Sequence, residues 1–309
     1  FWSAEAVLLF WLSQKSNINS YKFVSVAVTC LMLISLLLDW KNSYMYGQNY
    51  MIVFNKFFIT GIVSVLSFVG IRHLLKNETE NSTLWGITFN PITYNQIIKI
   101  LAIVVGYFVG LLEVSFQSRA NLYGSDSPFG FTILYHLVFC GVLFYFLVKS
   151  NEVINHKIAI IIGLFNIFLF TFWFSNTPFN ENYEYLNSIV HFRVSFWLHY
   201  LSLAIVIYFG YQIYKLNKEN VIFEFFKHRF MMWIVAFFII YLASAELMLH
   251  SEVISLSPIT QNEVMSSRWY QDNKDVSFAK EMLSYKNTNT VRNLVVRTGY
   301  PILWGIIAF

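Results

Sequence analysis

Two glutamates, Glu113 and Glu246, lie inside long apolar stretches of the chain. A charged side chain at the centre of a membrane helix costs about 2.5–3.5 kcal/mol on insertion scales, so such residues point by default to a functional site. Helical spacing places Gly106, Gly110, Glu113 and Gln117 on one face. Because glycines at this spacing let membrane helices approach closely, we expect Glu113 to face a neighbouring helix or a cavity.

Other residues that could take part in chemistry lie at the same ends of the predicted helices. A carboxylate whose pKa is raised by burial can act as a general base, and an imidazole can assist it. A lysine or arginine can hold a phosphate or a carboxylate. The candidate catalytic residues are Glu113, Glu246, His136 and His199, and the candidate substrate-binding residues are Lys56, Arg193 and Gln117.

A purely structural interpretation of the two glutamates stands beside the functional one. Buried carboxylates are usually paired, so Lys56, Arg193 or a histidine could hold each of them in a contact that locks helices together. No HExxH or comparable spacing is present, so the sequence predicts no metal site, and it indicates no particular cofactor.

The composition excludes a water-soluble single core. The chain is 57% hydrophobic and 12% charged, whereas average soluble domains hold about a quarter charged residues. The apolar runs have roughly the 20 residues that a helix needs to cross the hydrocarbon, and the alternation typical of a barrel strand is absent. The sequence therefore predicts an all-α polytopic transmembrane bundle, with membrane lipids as partners and no nucleic acid.

The apolar runs predict eight to nine spans in a single transmembrane helical domain covering 1–309. Both ends carry short apolar segments, and we expect the chain to be a fragment of a longer polypeptide. The predicted elements are a partial helix at 1–13, spans near 21–40, 51–72, 95–117, 130–148, 158–175, 194–214 and 231–250, and a final partial helix from Tyr300.

The distribution of lysine and arginine predicts the orientation of the bundle. One set of loops, after the odd-numbered spans, holds eleven of these residues, and the opposite set holds four, so the first set is expected in the cytoplasm. The eleven are Lys15, Lys22, Arg72, Lys76, Lys99, Lys149, Lys157, Lys215, Lys218, Lys227 and Arg229; the four are Lys41, Lys56, Arg119 and Arg193.

The polar segment 251–299 then lies on the extracytoplasmic side. Within it, VSFAKEMLSY and VRNLVV carry apolar residues at helical spacing, which predicts short amphipathic helices on the membrane surface or packed on the bundle. We expect this segment to form an extracytoplasmic loop or lid.

Four strings carry a resemblance to one family: AEAVLLFWLSQKS at the start, LLEVSFQ at 111–117, ASAELMLH at 243–250 and TGYPILWGIIAF at the end. They are similar to segments of bacterial, especially Bacteroidetes-type, predicted membrane proteins grouped as a domain of unknown function, DUF two-three-three-nine. The resemblance implies the C-terminal portion of a multi-pass protein of the bacterial inner membrane. It implies no activity and no catalytic residues, although Glu113 and Glu246 lie inside two of the strings.

Three functional hypotheses follow. The first is a transferase that acts on lipid-linked sugar or acyl groups at the periplasmic leaflet, with the 251–299 helices as its lid. The second is a transporter or flippase whose carboxylates bind protons or cations; such sites usually lie at the midplane, next to broken helices. The third is a non-catalytic subunit or scaffold of an envelope complex, in which other envelope subunits are partners.

Overall fold

The computed structural model describes residues 1–44, 50–219 and 223–308. Seven of its helices are long and apolar enough to cross a membrane, which is the architecture of a multi-pass membrane protein. The predicted all-α bundle is confirmed. Fewer than the expected eight to nine spans reach this length in the described part of the chain, because the first helix, Trp2–Ser16, and the last, Tyr300–Ala308, have only 15 and 9 residues.

The chain divides into two compact units, Phe1–Ala120 and Asn121–Phe309. The first unit contains α1 (Trp2–Ser16), α2 (Ser20–Tyr44), α3 (Lys56–Leu75), β1 (Ser82–Leu84), β2 (Ile87–Phe89) and α4 (Pro91–Asn121). In this unit α1 packs on α2 and α3. Phe10, Phe68 and Ile71 are fully buried in the core of the unit.

The two strands form an antiparallel hairpin that the sequence analysis did not predict. Its two turn residues, Trp85 and Gly86, have φ of 48° and 79°. Two consecutive positive φ values are typical of the primed turns that suit the twist of a hairpin. Phe89 at the end of β2 packs on Phe10 and Tyr94, which fixes the hairpin to the helices.

The second unit contains the remaining helices. These are α5 (Asp126–Val148), α6 (Val153–Phe172), α7 (Thr177–Leu186), α8 (Val194–Glu219), α9 (Arg229–Ser255), α10 (Gln261–Ser266), α11 (Arg268–Asn273), α12 (Val276–Leu294) and α13 (Tyr300–Ala308), with 3₁₀ turns at Phe174–Asn176 and Glu224–Lys227. Helices α5, α6 and α8 pack together around Leu137, Phe144 and Phe209. A Cβ at Gly163 would come within 2.9 Å of Phe144 and 2.8 Å of Ile213, so the close approach of these helices requires a glycine there.

The segment 251–299 is almost entirely helical, but its helices are not all short. The string VSFAKEMLSY and the first four residues of VRNLVV belong to one helix of 19 residues, α12. The last two residues of VRNLVV begin a π-helical turn at Val295–Gly299, which continues into α13. The prediction of separate helices fails here because no glycine or proline interrupts 276–298. Thr290 stays compatible with the helix by donating its hydroxyl to the carbonyl of Lys286, at 2.9 Å.

Candidate functional site

Polar side chains of α8 and α9 form a continuous chain of contacts in the second unit. The hydroxyl of Tyr200 lies 2.5 Å from Nε2 of His250. Nδ1 of His250 lies 2.7 Å from the carbonyl of Glu246 and 3.6 Å from its Oε2. The same Oε2 lies 3.1 Å from Nε2 of His199, whose Nδ1 contacts the carbonyl of Phe196. We call Tyr200, His250, Glu246 and His199 the relay.

A backbone carbonyl fixes where the proton of His250 lies. A carbonyl oxygen only accepts hydrogen bonds, so the 2.7 Å contact with the carbonyl of Glu246 requires a proton on Nδ1 of His250. Nε2 of neutral His250 is then an acceptor, and Tyr200 donates its hydroxyl proton to it. The structure therefore places an imidazole base directly against a phenolic hydroxyl.

The other half of the relay is a direct contact between Nε2 of His199 and Oε2 of Glu246, at 3.1 Å. The contact needs one proton between the two atoms, on the imidazole nitrogen or on the carboxyl oxygen. Both side chains lie beside His250 in the same cluster.

The relay is open on one side. His199 is 6% exposed, whereas the side chains of Glu246 and His250 are 25% and 36% exposed. The ring of Phe196 packs against His199, Tyr200 and His250, with centroids 5.3 to 5.6 Å apart. An aromatic wall therefore orients the rings, while the carboxylate and the Tyr200 hydroxyl remain accessible to a substrate.

A buried carboxylate holds the beginning of α8, the helix that carries His199 and Tyr200. Glu181 on α7 is fully buried and accepts the backbone N–H groups of Ser195 and Phe196, at 2.8 and 3.0 Å. It also accepts the hydroxyl of Ser127 on α5, at 2.6 Å. An anion at a helix N-terminus satisfies donors that have no partner inside the helix. Glu181 therefore positions the relay, although the sequence analysis did not select it.

Arg193 performs the matching function at the end of α9. Its guanidinium donates to the carbonyls of Val253 and Leu256, at 3.0 and 2.9 Å, and stacks over the ring of Tyr185 at 4.0 Å. Burial lowers the pKa of this guanidinium below its ordinary value. The structure thus places Arg193, a predicted substrate-binding residue, as a cap on the helix that carries Glu246 and His250.

The first unit surrounds Glu113 with neutral donors. Its carboxylate, on a residue that is 4% exposed, accepts the N–H of Val53 at 2.9 Å and the amide of Asn55 at 2.9 Å to each oxygen. Gln117 donates to it at 3.0 Å and Tyr44 at 3.2 Å. Burial and the nearby Glu113 charge raise the pKa of Tyr44, which keeps its hydroxyl a donor.

The Glu113 network fixes the segment before α3. Asn55 accepts the N–H groups of Phe57 and Phe58 and so caps that helix, while its amide is held by Glu113. Gln117 donates to the carbonyls of Tyr50 and Met51, both at 3.3 Å. All of these donors to Glu113 are uncharged. The network therefore acts as a structural anchor for the segment before α3.

Two other predicted site residues lie elsewhere. Lys56 is exposed, with its ammonium 4.7 Å from the centre of the Phe57 ring. His136 on α5 contacts Cys140, one turn further along, and its ring centroid lies 5.8 Å from that of Phe174. Neither of these neighbours belongs to the relay. Of the seven predicted residues, the structure brings His199 and Glu246 together in one cluster and Glu113 and Gln117 in another.

Within the described ranges, no group of three His, Cys, Asp or Glu side chains has a geometry that could hold a metal ion. In the relay, Nδ1 of each histidine is committed to a carbonyl and Nε2 to another relay group.

Comparison with known proteins finds no matching family model, no similar curated protein and no similar solved structure. The interpretation of the relay therefore depends on its own geometry.

Proposed function

We propose that the protein is a multi-pass membrane transferase, and that its relay activates a hydroxyl group for transfer of an acyl or glycosyl group between lipid-linked substrates. The observation that carries this proposal is the Tyr200 hydroxyl donating to Nε2 of His250 at 2.5 Å. An imidazole base in hydrogen-bond reach of a hydroxyl is the usual arrangement for general acid–base catalysis, which contributes about 10²–10⁴-fold to a rate.

The proton path follows the contacts. As a substrate oxygen attacks the acyl or glycosyl carbon, its proton passes to the oxygen of Tyr200, and the Tyr200 proton passes to Nε2 of His250. The resulting imidazolium lies 3.6 Å from Oε2 of Glu246, whose carboxylate stabilises it. The leaving group takes the proton back along the same path, so the relay ends the cycle in its starting state.

Position and environment also support a lipid-linked substrate. The relay lies within two helices that are long and apolar enough to span a membrane, and it is partly exposed there. We place the protein in the bacterial inner membrane, with the relay on the periplasmic side. The excess of lysine and arginine in the opposite loops and the four strings that resemble bacterial membrane proteins support that placement.

The test is a comparison of membrane lipids in strains of the host. One strain lacks the gene, one carries Tyr200→Phe, which removes only the hydroxyl, and one carries Tyr211→Phe. Tyr211 is on the same helix and is 61% exposed, so it serves as the matched control. Mass spectrometry of lipid extracts and surface glycans should show the same missing product and the same accumulated precursor in the first two strains.

The control strain should keep the wild-type profile. A Tyr200→Phe strain with a wild-type profile, in a host whose deletion strain has lost a lipid species, would refute the proposed chemistry.

One observation favours a second function, proton-coupled transport. The contact between His199 and Glu246 joins an imidazole to a carboxyl group within membrane-spanning helices, and such ionisable pairs are what a proton-coupled carrier uses. Proteoliposomes that contain the protein would then take up a solute when an inward proton gradient is imposed, and His199→Gln would abolish that uptake. We rank this function second because His199 lies in the second turn of α8, near the beginning of that helix, whereas carrier sites usually lie at the midplane.

A further inference from the structure

A cavity of about 650 Å³ lies in the second unit, between α7, α9, α12 and α13. This volume is within the range of small-molecule sites. The residues of α9 that line it, among them Tyr241, Ser244 and Met248, lie on the face of the helix opposite Glu246, as the helical period shows. The cavity is therefore separate from the relay.

The walls of the cavity are apolar towards the middle of α9 and more polar towards its end. Phe237 and Tyr241 line it towards the middle of the helix and are 52% and 37% exposed. Trp304 on α13 forms another apolar wall, held by a 2.9 Å hydrogen bond from its indole N–H to the hydroxyl of Ser244. From Phe237 to Met248 the cavity follows about 16 Å of helix. An extended hydrocarbon chain fits such a path.

The other end of the cavity is lined by a guanidinium that forms an ion pair with a buried carboxylate. Arg292 on α12 lines it, and its side chain is 45% exposed. Nε of Arg292 donates to Glu252 at 2.5 Å. In the described part of the chain no hydrogen bond engages its two terminal nitrogens. Glu252 is 1% exposed, so the guanidinium rather than the carboxylate meets a molecule that enters.

We propose that this cavity binds one lipid with an anionic phosphate headgroup, the phosphate on the terminal nitrogens of Arg292 and an acyl chain along Phe237, Tyr241 and Trp304. The planar guanidinium presents paired donors that match phosphate oxygens. Its orientation is held by Glu252, so little ordering is needed on binding. The polar end of the cavity lies near the end of a membrane-spanning helix and the apolar end near its middle, which is also how a lipid lies in a bilayer.

The test is native mass spectrometry of the purified protein in mild detergent, titrated with phosphatidylglycerol, phosphatidylcholine or glycerol phosphate. Four proteins are compared: wild type, Arg292→Gln, Ala245→Trp and Arg268→Gln. Ala245 lines the cavity, so a tryptophan there occupies space that the acyl chain would need and leaves the Arg292 side chain in place. Arg268 is the matched control, because its side chain is 90% exposed and pairs with Asp272.

We expect wild type and Arg268→Gln to retain one phosphatidylglycerol, with phosphatidylcholine bound about tenfold more weakly and glycerol phosphate not retained. Loss of charge-assisted hydrogen bonds should weaken phosphatidylglycerol binding to Arg292→Gln by about tenfold or more, and Ala245→Trp should lose it as well.

Unchanged binding to Arg292→Gln would overturn the role of the guanidinium, and equal binding of both lipids would overturn the preference for an anionic headgroup. Retention of glycerol phosphate alone would replace the lipid site with a phosphate site, and unchanged binding to Ala245→Trp would show that the lipid sits elsewhere. If Arg292→Gln fails to fold, Ala245→Trp still decides the proposal.

Discussion

The surroundings of Glu113 and Glu246 differ in the donors that each carboxylate meets. Glu113 is 4% exposed and is bound by neutral groups: the side chains of Tyr44, Asn55 and Gln117 and one backbone N–H. Glu246 is 25% exposed and meets two imidazoles, which can themselves gain or lose protons. A carboxylate held by fixed donors can only anchor structure, whereas one held by titratable partners can move a proton. Glu113 and Glu246 both lie inside long apolar stretches, and their different partners give them different roles.

The largest effect should come from His250→Gln in the relay. It removes the base that accepts the Tyr200 proton, so we expect product formation to fall by about 10²–10⁴-fold. The side chain is 36% exposed, so thermal unfolding in detergent should stay close to that of wild type. Product is measured by mass spectrometry of lipids after a timed incubation of membranes. A variant that retains more than half of the activity would remove His250 from the chemistry.

The next largest effect should be on folding, from Glu113→Gln. The side-chain NH₂ of the new glutamine is a hydrogen-bond donor. It would face the side-chain amides of Asn55 and Gln117, which also donate at this position. Each buried donor left without a partner costs about 1–3 kcal/mol, so we expect a loss of about 3 kcal/mol in the free energy of unfolding, measured by denaturant titration in micelles. A loss of less than about 1 kcal/mol, the lower limit for one unpaired buried donor, would mean that the network is not an anchor.

A smaller loss is expected from Asn55→Ala. This change removes the cap on α3 and one of the partners of Glu113. Loss of an N-cap costs about 1 kcal/mol on average, and the added loss of the buried contact brings the expected total to about 2 kcal/mol. Asn90→Ala, which removes the Asn90 contacts to the N–H groups of Ile92 and Thr93 at the exposed start of α4, is the matched control. Asn90→Ala should lower the free energy of unfolding by only the cost of a lost N-cap, about 1 kcal/mol.

The smallest effect should have the opposite sign. Val53 has φ of 64°, a left-handed conformation that is an outlier for a β-branched residue. Its N–H donates to Glu113, which helps to hold it there. Val53→Gly should relieve the strain and stabilise the protein by about 1 kcal/mol, after the entropy cost of glycine in the unfolded chain. Destabilisation by Val53→Gly would show that the segment does not need this conformation.

Much of the fold could be predicted from composition and apolar periodicity, because a membrane helix satisfies its own backbone and has a fixed minimum length. The hairpin at 82–89 could not, since its short strands carry no long apolar pattern. The continuity of α12 was missed because two apolar strings separated by polar residues look like two helices.

The candidate site was predictable only in part. Glu246 and His250 are four residues apart, so their shared face was visible in the sequence. The roles of Tyr200 and Arg292 could not be predicted from the sequence, because they depend on which helices pack together and at what height. Glu181 and Arg193 show the same limit: each caps the end of a different helix, a tertiary contact without a local signal.

The most direct test of the different roles of Glu113 and Glu246 measures the product formed per folded molecule for Glu113→Gln and Glu246→Gln in the same membranes. Folded protein is counted by fluorescence-detected size-exclusion chromatography and product by mass spectrometry. We predict that Glu113→Gln lowers the folded amount and leaves product per folded molecule at the wild-type level, while Glu246→Gln keeps the folded amount and lowers product per folded molecule by about 100-fold or more. The reverse pattern, or full turnover by Glu246→Gln, would contradict the account.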